Sequence, residues 1–166
     1  MRVFTFIVLG CLVVVIVQVA SIGFVVPAAY KPDIMLILVV WAGIRLEAVP
    51  GIVLAFFGGI VVDIFSGSPT GLFALVYCLT FVASGSANST FDIDTPVGRA
   101  LVVFVAALLT GVFVVLTRWF AGPLGAGTYA VPAALAKSLI TGLTSLAVFP
   151  LLDRSWAGYE KLVGER

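Results

Sequence analysis

The 166-residue chain has no histidine, two cysteines and few charges. Without histidine it lacks the commonest metal ligand and the side chain most often used as a general base near neutral pH. Cys11 and Cys78 each stand inside an apolar run, so they read as small buried hydrophobes. Neither a disulfide framework nor a zinc site fits that placement. Charged residues make up 10% of the chain, against about 25% in a soluble domain. The net charge is +1, so no basic surplus points to nucleic acid. GxSxG, P-loop, HExxH, CxxC and GxGxxG patterns are all missing. Asp92 and Asp94 form a lone acidic pair that reads as a solvated loop. No catalytic constellation remains; the expectation is a non-enzyme with no cofactor and no metal.

What is present is apolar. Hydrophobic residues are 62% of the chain and the mean hydropathy is +1.26. A water-soluble core could not hide that much apolar surface, so lipid must be the solvent for most of it. The reading is an all-α polytopic membrane protein, one transmembrane domain over 1–166. Its helices are expected at about 3–24, 33–45, 49–65, 69–84, 97–120 and 130–152, followed by a tail at 153–166. Run 3–24 is longer than the apolar core of a signal peptide and only Arg2 precedes it, so it reads as a retained span. Helix 33–45, with Asp33 as N-cap, is only about 20 Å long, short for a bilayer. Either the bilayer thins around it or its neighbours shield it. Pro50 suits the first turn of the third helix, Ser68 and Pro69 the start of the fourth, and Asp94 or Thr95 the cap of the fifth. In the tail, Trp156, Tyr159, Leu162 and Val163 fall at helical spacing, which reads as a short interfacial helix or a frayed end.

Six spans put both termini on one side. Arg2, Arg45, Arg99, Arg154, Lys161 and Arg166 fall on that side, and Lys31 and Arg118 on the other. The positive-inside bias makes the terminal side cytoplasmic. Asn88-Ser89-Thr90 is a formal glycosylation sequon, but it falls on the cytoplasmic side. Lys137 stands apart, inside the sixth helix.

Small residues mark faces of the helices. Gly51, Ala55, Gly59, Asp63 and Gly67 recur every fourth residue, so neighbouring members share a face. Such stripes let helix backbones approach closely in lipid. Asp63 continues this stripe and therefore points toward protein. In the sixth helix Ala133, Lys137, Thr141 and Ser145 repeat the spacing; in the fifth, Ala107 and Gly111 do, and these two are expected to face a partner. Asp63 and Lys137 reach similar depths on a rise of 1.5 Å per residue, within about 5 Å. Lys137 is the expected partner of Asp63. The alternatives are that Asp63 caps the turn at 66–68 or meets Arg118, and that Lys137 snorkels outward. Asp33 and Asp63 share the outer side, yet nothing in their spacing requires a cation between them. Tyr77 and Tyr129 read as packing or interfacial aromatics.

Two segments carry a family resemblance. Lys31-Pro32-Asp33 opens a short aliphatic helix. Downstream, Phe56-Phe57-Gly58-Gly59-Ile60-Val61-Val62-Asp63 leads into Ile64-Phe65-Ser66-Gly67-Ser68-Pro69-Thr70-Gly71. This resembles the rod shape-determining MreD family over about 32–75, with Gly59, Gly67, Pro69 and Gly71 as its packing and turn motif. A glycine beside Gly58, where an aliphatic residue is commoner, is a minor departure. The resemblance implies a multi-pass protein of the bacterial inner membrane, similar in fold to the substrate-binding component of energy-coupling-factor transporters. It also implies a scaffold in cell elongation, with MreC, MreB filaments, the RodA glycosyltransferase and a class B penicillin-binding protein as partners. The competing function is a small-molecule-binding subunit of a transporter. The Ala-x-x-x-Ala motif that such subunits carry on their first helix is missing from 3–24.

Overall fold

The computed structural model describes residues 31–66, 71–90, 95–121 and 130–164. Five helices fill these stretches: α1 at Ile34–Arg45, α2 at Ala48–Ser66, α3 at Leu72–Thr90, α4 at Pro96–Ala121 and α5 at Ala130–Gly164. Three segments are long and apolar enough to cross a membrane: Ala48–Ser66, Pro96–Thr117 and Val131–Gly158. The expected span 3–24, Asp92, Asp94, Gly67, Pro69 and Tyr129 lie outside the described residues, as does the side chain of Arg118.

Two expected boundaries need correction. The helix expected at 69–84 begins at Leu72 and runs to Thr90. Gly71 precedes it at φ +98°, a left-handed conformation that glycine adopts at least cost. Ser68 and Pro69, expected at its start, lie outside the described residues. The helix expected to stop near 152 continues through Pro150 to Gly164, so the tail is neither frayed nor a separate element. A proline removes one helical hydrogen bond. Side chains beyond it, Asp153 and Trp156, dock on α1 and hold the continuation in place. At the start of α4, Thr95 acts as the cap, its Oγ1 accepting from the Gly98 N–H at 3.1 Å.

The helices form two tight hairpins, α2 with α3 and α4 with α5, and α1 lies between them touching all four. Met35 to Ala42 are buried without a break. A helix that is apolar all round belongs inside a protein. Of the two ways to accommodate its shortness, shielding by neighbours is the one observed.

The outer helices are inverted relative to a protein in water. On α5 the buried face carries Ser138, Thr141 and Ser145, while Leu135, Leu139 and Leu143 are exposed. Phe57, Leu79 and Leu109 expose the same kind of surface on α2, α3 and α4. Buried hydroxyls stay satisfied by donating to carbonyls of their own helix, as Ser138 does to Ala134 at 2.7 Å. Small and hydroxylated residues inward with large apolar residues outward is the arrangement that suits lipid.

α2 and α3 approach each other closely at Gly59. A Cβ there would lie against the backbone of Ala74, and 2.7 Å from the Phe73 carbonyl carbon. Gly51, Ala55, Gly59 and Asp63 are all buried, so the stripe faces protein.

Candidate functional site

Three carboxylates tie the five helices together. Asp63, in the last turn of α2, is 2% exposed and points at the start of α3. Its Oδ2 accepts from the Gly71 N–H at 2.8 Å and the Ala74 N–H at 3.4 Å, and its Oδ1 from the Phe73 N–H at 2.9 Å. Gly71 occupies the cap position of α3 and has no side chain to cap with. Asp63 supplies that group from the preceding helix. It satisfies amides that would otherwise have no intrahelical acceptor. Its negative charge also meets the positive end of the α3 dipole.

Asp33 lies at the start of α1 and is 3% exposed. Its Oδ1 accepts from the Leu36 N–H at 3.1 Å, which caps α1. The Tyr77 hydroxyl of α3 reaches both carboxylate oxygens at 2.9 Å. The Asp33 N–H donates to Thr141 Oγ1 of α5 at 3.1 Å, and that hydroxyl donates to the Lys137 carbonyl at 2.8 Å. Lys137 Nζ stands 3.8 Å from Asp33 Oδ2, an ion pair rather than a hydrogen bond, with the lysine side chain half-exposed.

The expected Asp63–Lys137 pair is therefore corrected: Lys137 meets Asp33. The reason is lateral. α5 packs against α1 and α4, and α1 stands between it and α2. Asp63 is meanwhile occupied by amides of α3. Tyr77 needs correction too, because it is a polar partner as well as a packing aromatic. A phenol inside a membrane span needs somewhere to place its hydroxyl, and that was the signal for it.

Asp153 of α5 sits at the opposite end of the bundle. Its Oδ1 accepts from Trp41 Nε1 at 2.9 Å, and its Oδ2 from Arg99 Nη1 at 2.8 Å. Arg45 Nε lies 3.6 Å from Oδ1. The Trp41 and Trp156 rings meet edge to face at 5.7 Å, and the Arg99 guanidinium lies 5.8 Å from the Phe149 ring centre. This network joins α1, α4 and α5. Sequence reasoning placed Arg45 and Arg99 at one membrane side but left Asp153 in the tail.

Ala107 and Gly111 do not face outward. Ala107 is in the core, and a Cβ on Gly111 would stand 3.0 Å from the Ala134 Cβ of α5. The small size of Gly111 brings α4 close to α5 at Ala134, and Ala107 packs into the core, so neither is placed to face a partner. Among the described residues, an apolar groove of about 690 Å³ runs along α2 and α3, lined by residues such as Phe56, Ile60, Leu75 and Leu79, together with Asp63 and Gly71. Among the described residues, no three acidic, cysteine or histidine side chains come together to hold a metal. The three carboxylates are engaged in holding helices together.

Fold and site define a helical membrane-integral protein, organised around a short buried helix and braced by carboxylates at both ends. The family model described as rod shape-determining protein MreD matches residues 1–154. The chain belongs to that family, and its role is in rod-shape determination. No curated protein and no solved structure matches it.

Proposed function

We propose that the chain is a non-enzymatic scaffold of the bacterial cell-elongation complex. It sits in the inner membrane with six spans and both termini cytoplasmic, in a fold similar to the substrate-binding component of energy-coupling-factor transporters. There it brings an MreC-type protein together with a RodA-type glycosyltransferase and a class B penicillin-binding protein, in register with MreB filaments.

The observation that carries this reading is the family match over 1–154. The bundle supports it. Its described carboxylates brace helices, and the groove along α2 and α3 among the described residues is open and apolar. A small-molecule-binding subunit calls for a concave pocket with a few converging polar groups. In this protein the centre of the bundle is filled by α1. Arg45, Arg99 and Arg154 share one end of the bundle, in keeping with a cytoplasmic side there.

The test is affinity capture of the full chain in mild detergent, followed by mass spectrometry. Recovery of MreC-type and peptidoglycan-synthesis proteins is expected. Recovery of transport ATPases in their place overturns the scaffold reading. For topology, cysteines at Ser68 and Gly125 should label from the periplasm and one at Asn88 from the cytoplasm. Periplasmic labelling at Asn88 reverses the orientation.

A further inference from the structure

α1 is the axle of the bundle, and the described helices occupy only part of the ring around it. Contacts give the directions. Met35 meets Gly58 of α2, Gly43 faces Ser84 of α3, and Trp41 meets Asp153 and Trp156 of α5. On about 100° per residue, with Met35 as zero, Gly43 points to about 80° and Trp41 to about 240°. α4 packs on α5 and touches α3, so it stands between those two. Asp33, at about 160°, reaches both Tyr77 of α3 and Thr141 of α5, as this order requires. α2, α3, α4 and α5 thus follow one another at steps of about 80°, and the arc from α5 back to α2 is about 120° wide.

That arc is covered. Leu38 points into it at about 300° and is only 5% exposed, and Ala42, at about 340°, is fully buried. α2 and α5 each pack on α1, yet among the described residues they share no interface comparable to either hairpin. At the spacing of packed helices, about 8–10 Å, a place about 60° from each neighbour holds one more helix. The stretches 67–70, 91–94 and 122–129, outside the described residues, are too short to cross a bilayer. Residues 3–24 carry no charge and reach about 33 Å as a helix. Only residues 25–30 separate them from Lys31 and the start of α1, about 20 Å of extended chain at most, and the vacant place adjoins α1. The groove along α2 and α3, by contrast, is uncovered, with Phe56, Leu75 and Leu79 exposed along it.

We propose that residues 3–24 fill this place as a helix antiparallel to α1, packed on Leu38 and Ala42 between α2 and α5. They complete a ring of five helices around α1, and the side of the bundle between α2 and α5 is then closed to partner proteins. The assignment rests on the reading of 3–24 as a retained span and is independent of the scaffold role.

The experiment is cross-linking in membranes, on the full chain with Cys11→Ser and Cys78→Ser. A cysteine is placed in turn at Val17, Gln18, Val19 and Ala20, which covers one helical turn. Each is combined with Ile140→Cys on α5, Val61→Cys on α2 or Leu75→Cys in the groove. These three partners lie near the depth of Asp33, since Thr141 meets Asp33, Gly58 meets Met35 and Ala74 adjoins Gly59. A protease site inserted between Ala28 and Ala29 is cut after treatment with a short bismaleimide. The readout is retention of the N-terminal fragment on a denaturing gel. Retention is expected with Ile140→Cys and with Val61→Cys for at least one position of the turn, and none above background with Leu75→Cys. Retention with Leu75→Cys alone overturns the proposal in favour of the groove, and no retention with any partner overturns it outright. Cross-links that join two differently tagged copies overturn it in favour of a second copy's segment. Intact mass of the purified chain checks the span itself: loss of residues 1–24 overturns the retained span and the packing together, and leaves the scaffold role to the capture experiment.

Discussion

At its N-terminus α1 carries a carboxylate, Asp33, satisfied largely by neutral donors: a tyrosine hydroxyl and a backbone amide. At its C-terminus it meets a carboxylate from another helix, Asp153, satisfied by two arginines and an indole. Asp33 is almost fully buried, whereas the Asp153 side chain is 31% exposed. The contrast follows from solvation. Where water is excluded, each added charge must be desolvated, and uncharged donors stabilise a carboxylate at less cost. Where water reaches, arginines keep part of their hydration and their attraction is correspondingly screened. The buried end should therefore carry stability, and the wetter end should be tolerant of change.

The largest effect should come from Asp33→Ala. It removes the cap of α1 and strands the Tyr77 hydroxyl inside the bundle, a loss of about 3 kcal/mol. Unfolding of the purified variant in detergent measures it; a loss no larger than that of Arg45→Gln would break the comparison. Asp63→Ala leaves three amides at the start of α3 without their acceptor and should cost about 2 kcal/mol in the same assay. Gly71→Ala should cost about 1 kcal/mol through backbone strain alone, because a Cβ there meets open space.

Smaller effects sharpen which carboxylate owns Lys137. In double-mutant cycles Lys137→Met should couple to Asp33→Asn by about 0.5 kcal/mol, reduced by the exposure of the lysine. With Asp63→Asn it should be additive; coupling to Asp63 and none to Asp33 would reinstate the pairing expected from depth. The smallest effect should be on stability in Arg45→Gln, about 0.3 kcal/mol, because its ion pair is long and half-exposed. A melting temperature well below wild type would show that the exposed end bears load after all.

Much of this molecule was legible in the order of its residues. The apolar runs and the scarcity of charge dictated lipid-facing helices, because no aqueous core could cover that surface. The spacing of Gly51, Ala55, Gly59 and Asp63 determined that this face of α2 turns inward, since residues four apart share a helix face. Depth was legible too: rise per residue placed Asp63, Asp33 and Lys137 near one end. Neighbours were not. Whether Lys137 reaches Asp33 or Asp63 depends on which helices adjoin, and only the packing of α1 between the two hairpins decides that. The same packing turned Ala107 into the core and Gly111 onto α5, carried α5 past Pro150 to place Asp153 beside Trp41, and gave the Tyr77 hydroxyl to Asp33. Periodicity along a helix determines which side chains share a face, because the backbone repeats. What that face meets is a property of the whole bundle, because contacts across space carry no period along the chain.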